Sequence, residues 1–272
     1  LEREDIAAAR TYIDPRIDPR FGHPIWRRIA AFIAAWDDAW RDRISELYFE
    51  FDAVAADRDA VLPALFVCFE ALPAAETRAL ARAVLDILGA SPFQPSPAFD
   101  RCFDLQPSES LPHIGVMLSR PDAPLRLNIR VQAWDTLVPT LQRIGWDGNF
   151  ECLSRLAEWL TEFPEVTVTA ALDVDSIVHP HIGLELHFPE SEPSPKQALA
   201  FLTTLAERNL CTPEKHAGLI QVLGKLISPE NTNAAWPDEL ILQALHDSDH
   251  RLSSLSISLT HFKLTAYPDG RI

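Results

Sequence analysis

Arg126, Asn128 and Arg130 occupy alternate positions of the run Leu125–Val131, with Leu125, Leu127, Ile129 and Val131 between them. His261, Lys263 and Tyr267 share one parity in the run His261–Tyr267, where Phe262 and Leu264 hold the other. In an extended strand, residues two apart point to the same side. Each run therefore offers polar and cationic groups on one face and apolar groups on the other. A guanidinium fork fits phosphate geometry, and a lysine adds a point charge. Strands of this kind around a shared space could bind a diphosphate and stabilise it as a leaving group. Tyr48, Glu50 and Asp52 alternate with Leu47, Phe49 and Phe51 in the same way. Glu50 is then a candidate general base for an acceptor, with Tyr48 beside it. A solvated sheet face crossed by ion pairs between neighbouring strands accounts for the same alternation without any catalysis.

A second constellation is His179-Pro180-His181-Ile182-Gly183-Leu184-Glu185-Leu186-His187. His181, Glu185 and His187 share a strand face, and Asp173 and Asp175 stand on the strand before. Neutral imidazoles with a carboxylate suit Fe(II), Mn(II) or Zn(II). The HxH spacing with a following Glu resembles the first metal motif of cupins, although the glycines and the second histidine motif of that family are missing. Histidines satisfied by neighbours, or simply exposed, fit the run better. The diphosphate chemistry itself requires no cofactor, and a divalent metal enters only with this histidine alternative. Trp134, Trp146, Trp159 and Trp236 border helical stretches and read as core or staple residues.

These groups must be held by strands, and the sequence shows where. Four stretches carry hairpin patterns: Glu46–Leu72, Leu111–Val131, Val166–Phe188 and Ser253–Ile272. Helical periodicity separates them. Pro24–Asp38 has Pro at its first turn and an Ile25, Ile29, Phe32, Ile33, Trp36 stripe. Pro73–Gly89 carries Leu80, Val84, Ile87 and Leu88, with Gly89 as its stop. Trp134–Ile144, Asn149–Phe163, Lys196–Asn209, Thr212–Leu226 and Pro237–His246 follow. Ala90–Ser110, with four prolines, reads as loop. The fold class expected is α+β: an antiparallel sheet of repeated hairpins, open or closed into a barrel, with helices packed outside. Residues 1–23 form a lead-in and residues 24–272 a single domain. The order hairpin, helix, hairpin occurs in 46–131 and again in 166–272, which suggests an internal duplication. Tyr267-Pro268-Asp269-Gly270 is turn chemistry, so the sequence is expected to stop inside a hairpin.

Composition narrows the partners. The 272 residues carry a formal net charge of −15, which opposes general binding to nucleic acid or anionic membranes. No apolar run approaches the roughly 20 residues needed to cross a bilayer. Cys68, Cys102, Cys152 and Cys211 are dispersed without CxxC spacing, as expected of free, largely buried thiols in a reducing cytoplasm. Nine glycines leave little material for a Rossmann fingerprint or a phosphate-binding loop.

The repeated α-β-β-α order resembles the aromatic prenyltransferases of the ABBA type. Phe49-Glu50-Phe51-Asp52 is similar to that family's glutamate strand. Leu125-Arg126-Leu127-Asn128-Ile129-Arg130 and Phe262-Lys263-Leu264-Thr265-Ala266-Tyr267 are similar to its Arg/Lys/Tyr strands. The resemblance implies a helix-ringed antiparallel barrel holding a prenyl diphosphate and an aromatic small-molecule or peptide acceptor. It makes Glu50 the acceptor base, and Arg126, Arg130 and Lys263 the diphosphate ligands. Tyr267 would shield an allylic cation, and Tyr48, Asn128 and His261 would line the substrate site. The family has five hairpins against four here, and the third hairpin of this chain offers acids and histidines rather than cations. The alternative is a non-catalytic module that captures a basic or extended peptide on an acidic sheet face or an edge strand.

Overall fold

The computed structural model describes residues 6, 23–51, 62–89, 96–105, 110–120, 122–131, 134–163, 166–188, 195–222, 226–227, 255–256 and 261–272. Most of the lead-in, the helix expected at 237–246 and Trp236 lie outside them.

Strand patterning is realised at each of the first three hairpins. They are β1 (Ile44–Glu50) with β2 (Ala64–Phe69), β3 (Ser110–Val116) with β4 (Leu125–Val131), and β5 (Thr167–Val174) with β6 (Val178–His187). Two two-residue strands, β7 (Leu226–Ile227) and β8 (Leu255–Ser256), pair with each other. The last strand is β9 (His261–Ala266). Seven strands form one antiparallel sheet in the order β1-β2-β3-β4-β5-β6-β9, and the described sheet is not closed. Register carries the alternation from strand to strand. Leu47, Val67, Ile114, Leu127 and Leu172 pair in succession across five strands, and each is fully buried. Burying such aliphatic side chains contributes about 1.5–3 kcal/mol each. A one-residue slip would turn the whole row to the other face.

Helices cover that apolar face. In α1 (Pro24–Ala35) the His23 ring caps the Ile25 N–H at 3.2 Å, and Trp26, Ile29, Phe32 and Ile33 are buried. The Trp26 ring stacks on Phe49 of β1 at 6.2 Å. The periodicity reading carried this helix to Asp38. Instead it ends at Ala35 and gives way to a π-helical turn over Trp36–Trp40. That turn sets the Trp36 indole to donate to the Ile44 carbonyl at 3.0 Å. Helix α2 (Ala74–Leu88) packs on α1 and touches β3. Gly89 ends it with φ +58°, a left-handed cap that suits glycine. The stretch expected to be loop contains α3 (Pro97–Arg101), begun by Ser96, whose hydroxyl accepts from Phe99 N–H at 3.1 Å. Arg82 of α2 grips Asp100 of α3 at 2.5 Å. Helices α4 (Trp134–Ile144) and α5 (Phe150–Leu160) pack together, and α4 touches β4.

The chain divides into two compact units, Leu1–Leu186 with Lys263–Ile272, and His187–Phe262. The second contains α6 (Pro195–Glu207) and α7 (Pro213–Val222) packed on each other. Its aromatic centre is Phe188, Phe201 and Phe262, with ring centroids 5.0–6.1 Å apart. No described helix is long and apolar enough to cross a membrane.

All four cysteines are free, with Cys68, Cys102 and Cys152 buried and Cys211 partly exposed. Burial pushes the Cys68 and Cys102 thiols up to about 12. Since the thiolate is the reactive form, iodoacetamide on the native protein at pH 8 is expected to label Cys211 first and to spare Cys68 and Cys102. Peptide mass spectrometry reads the outcome, and early labelling of Cys102 would contradict the burial described.

Candidate functional site on the polar sheet face

The second face of the sheet collects the residues singled out from sequence. Tyr48 pairs with Phe66, Phe66 with Gly115, Gly115 with Arg126, and Arg126 with Asp173. Partners across a ladder point to the same side, so Tyr48, Arg126 and Asp173 share this face. Glu50, two residues from Tyr48, and Asn128 and Arg130, on the same parity as Arg126, share it too. Lys263 reaches the face from β9, where its Nζ donates to Glu185 Oε1 at 3.2 Å. Gly183 makes that path possible, because a Cβ there would stand 2.8 Å from Lys263 Cε.

The residues are spread rather than gathered at one point. Glu50 lies on the first strand of the sheet and Lys263 on the seventh, roughly 29 Å apart measured along the sheet at about 4.8 Å per strand. Strand directions put Glu50, Tyr48 and Arg126 toward one end, and Tyr267 follows the end of β9 on that side. Arg130 lies toward the opposite end, with Asn128 and Lys263 between. Tyr267 is well exposed and carries the Arg271 guanidinium over its ring at 5.0 Å.

Cross-strand pairing holds the cations in place. Arg126 Nε and Nη2 donate to the two carboxylate oxygens of Asp173 at 2.9 and 3.2 Å. His181 Nε2 approaches Asp173 Oδ2 at 2.9 Å. Asp173 is only 8% exposed. Burial pushes its carboxyl upward, but the hydrogen bonds and charges of Arg126 and His181 outweigh that and hold it below the usual aspartate value. One row along, Glu185 also accepts from Asn128 Nδ2 at 3.3 Å. Asn128 Oδ1 is buried and accepts no hydrogen bond among the described residues. His179 approaches Asp175 at 2.8 Å, and its ring stands 5.8 Å from that of His181. Arg130 is exposed and forms no ion pair with another described residue.

The pairing leaves donors to spare. A guanidinium has five N–H groups and an ammonium three. Asp173 occupies two of those on Arg126, and Glu185 one of those on Lys263. At the Arg130 end a cleft of about 490 Å³ opens, lined by Phe69, Leu72, Phe103, Leu111 and Arg130 among others. Its size is that of a small-molecule site.

The histidine run does not assemble as a metal centre. His181 turns to Asp173, Glu185 to Asn128 and Lys263, and His187 lies against His261 with ring centroids 5.0 Å apart. Among the described residues, no three His, Cys, Asp or Glu side chains are spaced to hold a metal ion.

No family model, curated protein or solved structure matches the chain. Two residues outside the expected diphosphate and base set turn out to organise it. Asp173 joins Arg126 to His181, and Glu185 joins Asn128 to Lys263. The signal in the sequence was an acidic strand followed by a histidine strand, a pattern as suited to ion pairing as to a metal.

Proposed function

We propose that the protein is prenyltransferase-like. It binds a prenyl diphosphate and an aromatic small-molecule or peptide acceptor against the polar face of its sheet. The observation that carries this is the set of three cations on that one face, two of them fixed by buried or half-buried carboxylates that take up only part of their N–H donors. Arg126 and Lys263 would hold the diphosphate through charge-assisted hydrogen bonds, with Arg130, which forms no ion pair with another described residue, adding its charge. Glu50 would take the acceptor proton, and Tyr267 would face the allylic carbon. Sheets twist and coil. Curling with the polar face inward brings the two edge strands, and so Glu50 and Lys263, toward each other. The sequential strand order, with helices between the hairpins, also supports the resemblance to the ABBA-type enzymes.

Titration calorimetry with dimethylallyl and geranyl diphosphates tests the proposal. Arg130→Ala and Lys263→Ala are each expected to weaken binding by about tenfold or more, the size of one lost hydrogen bond to a charged group. No binding by the wild type, or two variants that bind as the wild type does, removes it.

A second reading has its own observation. Strand β1 is an edge of the described sheet; it exposes Tyr48, and Phe51 is exposed just past its end, with Glu46 and Glu50 on the strand. A non-catalytic module could add an extended basic peptide there. Binding through those acids would weaken steeply with rising ionic strength, whereas diphosphate binding should track the arginine and lysine variants.

A further inference from the structure

The Arg126–Asp173–His181 row does more than brace the sheet. Asp173 is nearly buried and fixed by two hydrogen bonds from Arg126, so its second oxygen is aimed rigidly at His181 Nε2. The His181 side chain itself remains 38% exposed. With Nε2 committed to the carboxylate, Nδ1 is the ring atom left to meet a ligand. A carboxylate behind a histidine fixes the orientation of the ring. This ring shares a row with Arg126, one of the three cations assigned to the diphosphate, and stands far along the sheet from Glu50, the group assigned to the acceptor.

We infer that His181 is a catalytic general acid on the diphosphate side of the site, positioned by Asp173. The inference rests on the prenyltransferase-like reading and deepens it. When the bond between the allylic carbon and the bridging oxygen breaks, its electron pair passes to the diphosphate. The proton on His181 Nδ1 passes to a diphosphate oxygen, leaving a neutral ring on Asp173. The allylic carbon then bonds to the acceptor, whose proton goes to Glu50. Exchange with solvent returns one proton to His181 and removes one from Glu50. Among the described residues, the charged and titratable groups around this ring are Asp173 from β5, Asp175 just past its end, His179 and Glu185 from its own strand, and Lys263 from β9. Arg126 acts on it through Asp173.

Hydrolysis of dimethylallyl diphosphate by the full chain, with water as acceptor, isolates the step because no other acceptor need be known. Diphosphate release is measured across pH, beside calorimetric binding of the same compound. His181→Gln keeps a polar side chain against Asp173 and is expected to bind dimethylallyl diphosphate within a few-fold of wild type. It should release diphosphate about a hundredfold more slowly, the low end for general acid–base catalysis. The basic limb of the pH profile should vanish with it. Added imidazole should restore part of the rate to His181→Ala, which a purely structural histidine would not allow. Asp173→Asn should lower the rate while leaving a basic limb in place. Wild-type binding without turnover, or a His181→Gln protein with the wild-type rate and profile, overturns the inference and leaves the binding proposal standing. Absence of binding by the wild type removes both, so the two failures are distinguishable.

Discussion

Replacing Asp173 with alanine is expected to destabilise the protein by about 3 kcal/mol. That is the low end for breaking a buried ion pair, because Arg126 and His181 still reach water. The loss arises less from the missing attraction than from what remains: a guanidinium and an imidazole turned toward a space with no anion in it. Asp173→Asn keeps an acceptor for Arg126 and should cost less. The carboxyl sits below the usual aspartate value when folded. Its contribution to stability is therefore complete above the roughly 3.9 of an unfolded aspartate. It is lost as the pH falls through the folded value. Urea unfolding between pH 3 and 7 should show the wild type losing stability below about pH 4, while the alanine variant, already deprived, loses less. If the variant matches the wild type at pH 7 within about 0.5 kcal/mol, the Asp173 network contributes little to the folded state.

Trp36→Ala is expected to be costlier still, at about 3–5 kcal/mol. Trp36 has no exposed surface. Its ring lies 6.3 Å from Phe32, and its indole N–H satisfies the Ile44 carbonyl at the start of β1. Removal opens a cavity and also strands a backbone acceptor. Trp36→Phe separates these effects. It retains most of the buried volume and should lose about 1–2 kcal/mol for the hydrogen bond and the smaller ring. Equal destabilisation by Phe and Ala would mean that the hydrogen bond, rather than packing, holds this corner.

The hairpins were legible because a period of two is written into each strand on its own. Leu125–Val131 declares its faces without reference to any neighbour, and the register then joins Leu127 to Ile114 and Leu172 as the apolar pattern requires. Helix α2 was legible for a similar reason, since its stripe and its Gly89 stop are local. The short helix at Pro97 was not, because five residues give too little periodicity to outweigh the four prolines of residues 90–110, although Ser96 and Pro97 are a recognisable start. The π-helical turn at Trp36–Trp40 extends a helical pattern with another spacing, which periodicity alone does not separate. Least legible was the partner of each charge. That Asp173 would meet both Arg126 and His181 depends on the β4–β5 register and the β5–β6 turn together. Nothing local to Arg126 distinguishes it from Arg130, yet among the described residues one is paired and the other is not.

The order of the strands has a consequence during synthesis. Strands β1 to β6 follow one another along the chain, so each can dock on its predecessor as it emerges from the ribosome. The neighbour of β6 is β9, and 73 residues separate His187 from His261. At about 5–20 residues per second, translation takes roughly 4–15 s to supply it. For that interval β6 is a bare rim on a nascent sheet, open to pairing with any passing chain. Pro180 and the charged or titratable His179, His181, Glu185 and His187 along it are the kinds of residue that discourage such pairing. His181, inferred to act as an acid in the finished protein, is thus also one of the guards while it is being made.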